Sequence, residues 1–283
     1  MRFLKYCSLS DAVSPLSLDG KSPREYSLEI ISNNRLYFAD PAQLNDPFDC
    51  NIPFDLNNSE MDSFLRDALL QMQENIEGIE LRKIIKMALE NKAMFEALLN
   101  NWTWRQRIYG FIYNKMGVIS LCRAESRNHP LMWAHYANSH DGICYEFEEE
   151  ASWVDLKQDV DYSPGFDKFN IAGSDPMRLI KAIRTKGPEW AYEHECRLIK
   201  ANAARTYLTF AKESLKAIYF GLKINVESYY KIAVMIESLG FGCPIFQMEL
   251  STNSYELYAR SIDKLGALPD AFVRHLKESK PSQ

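Results

Sequence analysis

Apolar residues recur along this chain in two patterns that divide it into segments. Short apolar runs typical of strands lie at 3–7, 35–38, 117–122, 143–148, 217–221 and 245–250. From 59 to 115 the spacing becomes that of amphipathic helices, as in Phe64, Ala68 and Met72. Helical spacing at 226–239, between two predicted strands, indicates one strand–helix–strand crossover.

We therefore predict an α+β fold with a small mixed β-sheet core. The core is expected to comprise residues 1–58 and 116–262, interrupted by a helical subdomain at 59–115. Residues 263–283 are expected to form a C-terminal helix and a flexible tail. A further short helix is predicted over 131–137, because Pro130 stands at its first turn.

The stretch 188–199 is predicted to be a strand that carries two carboxylates and an arginine at alternate positions. Successive side chains of a strand point to opposite faces, so Glu193, Glu195 and Arg197 are expected on one face. At that spacing each carboxylate disfavours ionisation of the other unless a cation lies near them. The pattern fits an active site and, equally, an ion-pair ladder on an exposed strand face.

Composition narrows the class of protein. The chain has 283 residues, of which 46% are hydrophobic and 25% charged, as expected for a globular protein with a sizeable core. No apolar run approaches the roughly 20 residues of a membrane helix, and the N-terminus lacks a signal-peptide apolar core. We expect a cytoplasmic protein without membrane association. The net charge of −5 provides no overall attraction to nucleic acid or anionic lipid.

Several kinds of chemistry have no support in the motifs. The six cysteines form no Cys-x-x-Cys pair, and His129, His135 and His140 match no zinc-ligand spacing, so no metal is expected. There is no Gly-x-Ser-x-Gly elbow, no Walker loop and no Gly-x-Gly-x-x-Gly sequence. The basic and aromatic stretch at 102–107 fits base stacking and phosphate binding, or a helix with a tryptophan core face and solvated arginines.

Aromatic and carboxylate residues remain as candidates for chemistry. They are Lys5 and Tyr6 on the first strand, His135 and Tyr136 on the short helix, and the glutamate pair. Taken singly, each has an ordinary structural explanation: a tyrosine in the core with a satisfied hydroxyl, or a hydrogen-bonded helix histidine. Their occurrence together is what favours a site.

Several separated motifs run along the chain: Leu4-Lys5-Tyr6, Leu36-Tyr37-Phe38-Ala39-Asp40-Pro41, Leu44-Asn45-Asp46-Pro47-Phe48-Asp49, Gly117-Val118-Ile119-Ser120-Leu121-Cys122, Met132-Trp133-Ala134-His135-Tyr136-Ala137, Gly142-Ile143-Cys144 and Trp190-x-Tyr192-Glu193-x-Glu195-Cys196-Arg197-Leu198-Ile199. In these motifs the chain resembles the bacterial domain-of-unknown-function family 2971 over roughly residues 1 to 250. One departure is Cys196, where that family usually has an aromatic residue before the arginine. The resemblance implies no established activity.

A more distant resemblance is to the ADP-ribosyltransferase superfamily, whose small split β-core carries an aromatic or polar residue on its first strand and Glu-x-Glu on a later strand. It implies NAD as co-substrate, with Glu195 holding the ribose and Glu193 orienting the acceptor. Catalytic roles fall on Glu195, Glu193 and His135. The residues implied in cofactor binding are Lys5, Tyr6, Trp133, Tyr136 and Arg197, of which Lys5 or Arg197 would neutralise the pyrophosphate.

Three functions follow as hypotheses. The first is an NAD-using effector in phage defence or toxin–antitoxin conflict that acts on a protein or nucleic-acid acceptor; the conflict role rests on family analogy. The second is a non-catalytic module that senses a nucleotide or nucleic acid, with the glutamates paired to Arg197 and lysines on an exposed face. The third is a metal-independent nuclease using His135 with Glu193 or Glu195. The first requires a cleft that contains Tyr6, His135 and Glu195 together.

Overall fold

The structure is a computed structural model that describes residues 1–12, 20–41, 116–165 and 177–263 continuously. It also describes isolated positions at 44, 46, 48–50, 83, 86–87, 90–91, 93–94, 97 and 101. Apart from these positions, the predicted helical subdomain at 59–115 lies outside the described residues. So do the basic and aromatic stretch at 102–107 and, apart from residue 263, the predicted C-terminal helix and tail.

Twelve strands and four α-helices lie in the described part of the chain. The strands are β1 (Arg2–Ser8), β2 (Arg35–Tyr37), β3 (Met116–Arg123), β4 (Gly142–Glu148), β5 (Lys157–Asp159), β6 (Asp161–Tyr162), β7 (Thr185–Lys186), β8 (Glu195–Ala201), β9 (Tyr207–Thr209), β10 (Leu215–Phe220), β11 (Ile245–Leu250) and β12 (Leu257–Ser261). The helices are α1 (Pro23–Asn33), α2 (Pro130–Tyr136), α3 (Met177–Arg184) and α4 (Val226–Ser238). Short 3-10 helices span Ala124–Asn128, Ala151–Trp153, Pro188–Glu193 and Lys212–Ser214.

Eight of the strands form one mixed sheet in the order β12-β11-β10-β4-β1-β3-β8-β5. β10 and β11 are parallel and α4 connects them, which confirms the predicted crossover. The other neighbouring strands of this sheet are antiparallel. The predicted α+β class with a mixed sheet is therefore confirmed.

Helices cover both faces of the eight-stranded sheet. On one face, Ile30 and Ile31 of α1 and Ile232 of α4 pack in a core that contains Phe3 and Tyr145. On the other face, α2 contributes Met132 and Trp133 to a second core with Leu4, Tyr6 and Tyr219. Adjacent β1 residues thus enter opposite cores, as strand alternation requires. Within the described ranges, no helix is both long enough and apolar enough to cross a membrane.

Local sequence signals account for both ends of α1 and for the start of α4. Ser22 and Glu25 form a capping box at the start of α1, and Pro23 occupies its first turn. Asn34 ends α1 in a left-handed conformation with φ of 48°. Asn225 caps α4 by accepting a hydrogen bond from the Ser228 backbone N–H at 2.8 Å.

The sheet opens between β1 and β3. β1 pairs with β4 through seven residue pairs, but with β3 only through Phe3 with Arg123 and Leu4 with Cys122. Further along β3, Val118 instead exchanges two backbone hydrogen bonds with Ala39, both at 2.9 Å. Lys5 reaches the opening, where its Nζ donates to the Ser120 carbonyl at 3.0 Å.

Candidate active site

Glu193 and Glu195 reach the same place from two different elements. β8 begins at Glu195, whereas Glu193 is the last residue of the 3-10 helix Pro188–Glu193. His194 lies between them with φ of 46°, in the left-handed region. The predicted strand through Glu193 is therefore wrong, because a strand needs extended backbone at each residue. The turn at His194 nevertheless leaves both carboxylates in contact with one lysine.

That lysine is Lys186 at the end of β7, and its ammonium group is buried. Its Nζ donates to Glu193 Oε2 at 2.6 Å and to Glu195 Oε2 at 3.2 Å. The Asp49 carboxylate lies 4.0 Å away, and the Trp190 ring faces the ammonium group at 4.8 Å. A buried ammonium ion needs such compensation, since removal from water penalises its charge.

Arg197 supplies the second cation of the cluster and has no exposed surface. Its Nε and Nη2 donate to Glu195 Oε1 and Oε2 at 2.8 and 3.0 Å. Its Nη1 and Nη2 also hold Asp49 Oδ1 and Oδ2 at 2.8 and 2.6 Å, and Nη1 donates to the Ile183 carbonyl. The guanidinium group is thus an internal counter-ion for two carboxylates.

The two glutamates differ in their electrostatic environment. Burial alone raises the pKa of Glu195, but Arg197 and Lys186 outweigh it and lower that pKa to about 2. Burial also raises the pKa of Glu193, and Lys186 and the Tyr136 hydroxyl offset this only in part, so its pKa lies above the usual value. Two carboxyl groups whose pKa values move in opposite directions are typical of acid–base sites.

A small pocket of about 60 Å³ opens beside this cluster, at the gap between β1 and β3. Glu193, Glu195 and Lys186 form its charged wall, and the Asp49 carboxylate adjoins them. Polar and apolar groups complete the lining: Leu4, Lys5, Tyr6, Leu44, Ser120, Cys122 and Tyr136. The pocket is therefore amphipathic, with tyrosine rings and aliphatic side chains near three carboxylates and two ammonium groups.

Three residues predicted for cofactor binding line this pocket. Lys5 lies in the opening of the sheet, and Tyr6 donates to the Ser126 carbonyl at 3.0 Å. Tyr136, at the end of α2, donates to Glu193 Oε1 at 2.5 Å. Burial and the Glu193 charge raise the pKa of Tyr136 well above its usual range, so its hydroxyl acts as a donor.

Three other predicted residues lie outside the pocket lining. Trp133 is fully buried against Tyr6, and its indole N–H donates to the Arg127 carbonyl at 2.8 Å. His135 is exposed on α2, with its ring 5.7 Å from the Trp190 ring and 6.3 Å from the Tyr136 ring. Arg197 lies behind Glu195. Thus Tyr6 and Glu195 share one pocket, and His135 does not join them.

Two members of the charge cluster were not predicted from the sequence. Asp49 lies in a turn-forming segment, where an aspartate is expected for local hydrogen bonding and carries no sign of a distant partner. Lys186 directly precedes Gly187 and Pro188, and nothing nearby marks it as buried. The signal that was available is electrostatic: two close glutamates need more than one cation when they are buried.

Over the described ranges, no three His, Cys, Asp or Glu side chains are grouped so that they could hold a metal ion. Comparison of the chain with family models, with curated proteins and with solved structures gives no match. The resemblances inferred from its motifs therefore stay predictions, and the argument for function rests on the pocket.

Proposed function

We propose that the protein is an NAD-using enzyme of the ADP-ribosyltransferase type that modifies a protein or nucleic acid in the cytoplasm. The observation that carries the proposal is the convergence of Lys5, Tyr6, Tyr136, Glu193 and Glu195 on one pocket. These residues come from three distant parts of the chain, and they are most of those that the resemblance assigns to NAD. A role in phage defence or toxin–antitoxin conflict belongs to the same proposal by family analogy.

The chemistry of this pocket suits cleavage of a ribosyl bond. When the bond between ribose C1′ and the nicotinamide nitrogen breaks, its electron pair leaves with neutral nicotinamide, and positive charge develops on the ribose. A carboxylate beside that charge stabilises it. The acceptor oxygen or nitrogen then bonds to C1′ and gives its proton to a carboxylate that acts as base.

The size of the pocket defines which part of the dinucleotide it would take. Its volume of about 60 Å³ is far below the several hundred Å³ of a pocket that encloses a whole ligand. It would receive the reacting end, and most of the dinucleotide would lie outside it. Lys5 is the lining cation that makes no ion pair with Glu193 or Glu195, so it is suited to the phosphate charge.

The direct test is release of nicotinamide from NAD by the purified protein, with a labelled NAD analogue in lysate to reveal the acceptor. We expect release by the wild type and a loss of about 100-fold or more for Glu193→Gln. Glu189→Gln is the matched control, because Glu189 lies exposed on the same 3-10 helix and outside the lining. An absence of nicotinamide release, together with an unchanged melting temperature in NAD, would contradict the proposal.

One observation favours a second candidate, a non-catalytic nucleotide or nucleic-acid sensor. Glu193 and Glu195 are both ion-paired, with Lys186 and Arg197, as that hypothesis expected, although the cluster is buried and not on an exposed face. A sensor would show an NAD-induced or nucleic-acid-induced rise in melting temperature without turnover. His135 lies outside the lining, which removes one of the three residues that the first hypothesis placed in its cleft and one of the two acid–base residues of the nuclease hypothesis. The first hypothesis keeps Tyr6 and Glu195 together in the pocket, whereas the nuclease hypothesis keeps only a glutamate.

A further inference from the structure

The two glutamates of the pocket have different numbers of cationic partners. Both oxygens of Glu195 accept from Arg197, and Oε2 also accepts from Lys186. Glu193 accepts from one cation, Lys186 at Oε2, while its Oε1 accepts from the Tyr136 hydroxyl. The charge of Glu195 is therefore largely neutralised within the protein, whereas Glu193 has a carboxylate oxygen whose partner is a neutral group.

We infer that Glu193 is the carboxyl group that acts on the bound ligand and that Glu195 is a positioning residue, which holds Lys186 and Arg197 in place. This inference rests on the proposed function and departs from the roles that the superfamily resemblance implies, in which Glu195 holds the ribose and Glu193 orients the acceptor. A ribose hydroxyl that bound Glu195 would share an oxygen that already accepts from a buried cation, and it would weaken the compensation of that cation. At Glu193 the hydroxyl would share Oε1 with the neutral Tyr136 hydroxyl.

Glu193 meets the needs of a reacting carboxylate. Its Oε1 partner, Tyr136, lines the pocket and is half-buried, so the Tyr136–Glu193 pair forms part of the pocket wall. The cluster contains three carboxylates, Asp49, Glu193 and Glu195, but two cations, Lys186 and Arg197. The developing positive charge of a ribosyl group would supply the missing compensation next to Glu193.

The raised pKa of Glu193 supports the same assignment. A base is most effective when its pKa approaches the working pH, and burial moves Glu193 in that direction. In the transfer step, Glu193 as carboxylate stabilises the ribosyl cation and accepts the proton that the acceptor loses when it bonds to C1′. Turnover should then rise with pH through the pKa of Glu193.

Two tyrosines provide a matched pair of variants that test this assignment of roles to Glu193 and Glu195. Tyr136 donates to the Glu193 side chain, and Tyr162 accepts at 2.8 Å from the backbone N–H of Glu195. The Tyr136 hydroxyl lowers the pKa of Glu193, so Tyr136→Phe should move the ascending limb of the pH–rate profile to higher pH. Tyr162→Phe should leave that limb in place.

Nicotinamide release and melting temperature are measured for the two glutamate variants alongside the two tyrosine variants. We expect Glu193→Gln to lose about 100-fold or more in nicotinamide release while it melts at a higher temperature than Glu195→Gln. The inference is overturned if Glu193→Gln keeps its rate within about threefold of wild type while a folded Glu195→Gln loses it. It is also overturned if Tyr162→Phe, and not Tyr136→Phe, moves the pH limb.

A titration separates failure of this inference from failure of the proposed function. If the wild type releases no nicotinamide, the proposed function fails, and the carboxyl carbons of labelled glutamates are followed by NMR instead. The signal that is missing in Glu193→Gln should titrate above the ordinary glutamate range and move further up in Tyr136→Phe. If the high-titrating signal is instead the one missing in Glu195→Gln, the assignment of roles is reversed.

Discussion

Arg197 binds Asp49 through both of its terminal nitrogens, at 2.8 and 2.6 Å, across 148 residues of sequence. The pair links residues 48–50 to β8 at the pocket, whose lining includes Asp49. Both side chains are almost completely buried, so neither charge has water as an alternative partner. Each of the two buried charges therefore needs the other for the cluster to be stable.

Removing one charge of that pair should destabilise the fold strongly. For Asp49→Asn we expect a loss of about 3–5 kcal/mol in the free energy of unfolding, because Arg197 is left buried with one carboxylate fewer. Urea denaturation measures this loss. Glu227→Gln, which breaks the exposed pair with Lys231, is the control and should leave the midpoint unchanged. Equal midpoints for Asp49→Asn and wild type would show that the pair contributes nothing to stability.

The ionised Glu195 carboxylate should make the free energy of unfolding decrease at acidic pH. Its pKa is lowered from an ordinary value of 4.5 to about 2 in the folded protein, so the folded state prefers the ionised form. That contribution is fully present above pH 4.5 and is lost as the pH falls from there toward about 2. Urea unfolding at a series of pH values should give a shallower acid decline for Glu195→Gln. A decline of unchanged slope would contradict the assigned pKa direction.

The left-handed turn at His194 should tolerate glycine and resist β-branched residues. Its φ of 46° disfavours side chains that branch at Cβ, so His194→Val should lose about 1–2 kcal/mol in the free energy of unfolding. His194→Gly should stay within about 1 kcal/mol of wild type. Lys200→Val is the control, since Lys200 is exposed on the extended backbone of β8. The prediction fails if the two valine variants unfold at the same urea concentration.

Gly221 follows β10 at a point where two backbone segments meet. A Cβ atom there would collide with the His140 carbonyl oxygen, and backbone cannot move aside as a side chain can. Gly221→Ala should therefore lose about 1–3 kcal/mol in the free energy of unfolding. Gly242→Ala, with no atom within 4 Å of the added Cβ, should be neutral or gain about 0.4–1 kcal/mol. Thermal unfolding of both variants checks the contrast; equal melting temperatures would refute it.

The sequence was sufficient to predict the helices and strands whose hydrophobic pattern is repeated over several residues. The crossover through α4 could be predicted because Ile232, Ile236 and their neighbours recur at helical spacing between two apolar runs. Apolar and polar residues alternate at 143–148, a pattern that predicts a strand with one buried face, and this prediction is only partly correct for β4. Cys144 and Glu146 of β4 are buried on the second face as well, because helix α2 and the Ala124–Asn128 segment lie on that side.

The pocket could be predicted only in part. Lys5, Tyr6 and Tyr136 stood out as polar or aromatic residues in apolar segments, and the structure brings them to Glu193 and Glu195. Asp49 and Lys186 could not be found, since their contacts depend on tertiary packing that no local pattern records. The conformation of His194 was missed for a related reason: an isolated left-handed residue that is not glycine leaves little trace in sequence.

The opening between β1 and β3 separates the sheet into two parts that few contacts join. It divides the eight-stranded sheet into one plate with β12, β11, β10, β4 and β1, and a second plate with β3, β8 and β5. Two backbone pairs join the plates directly, and hydrogen bonds from Lys5 to the Ser120 carbonyl and from Tyr6 to the Ser126 carbonyl add further links. Lys5 and Tyr6 belong to the first plate, while Ser120 and Glu195 belong to the second. A molecule bound between them would therefore contact both plates and hold them together.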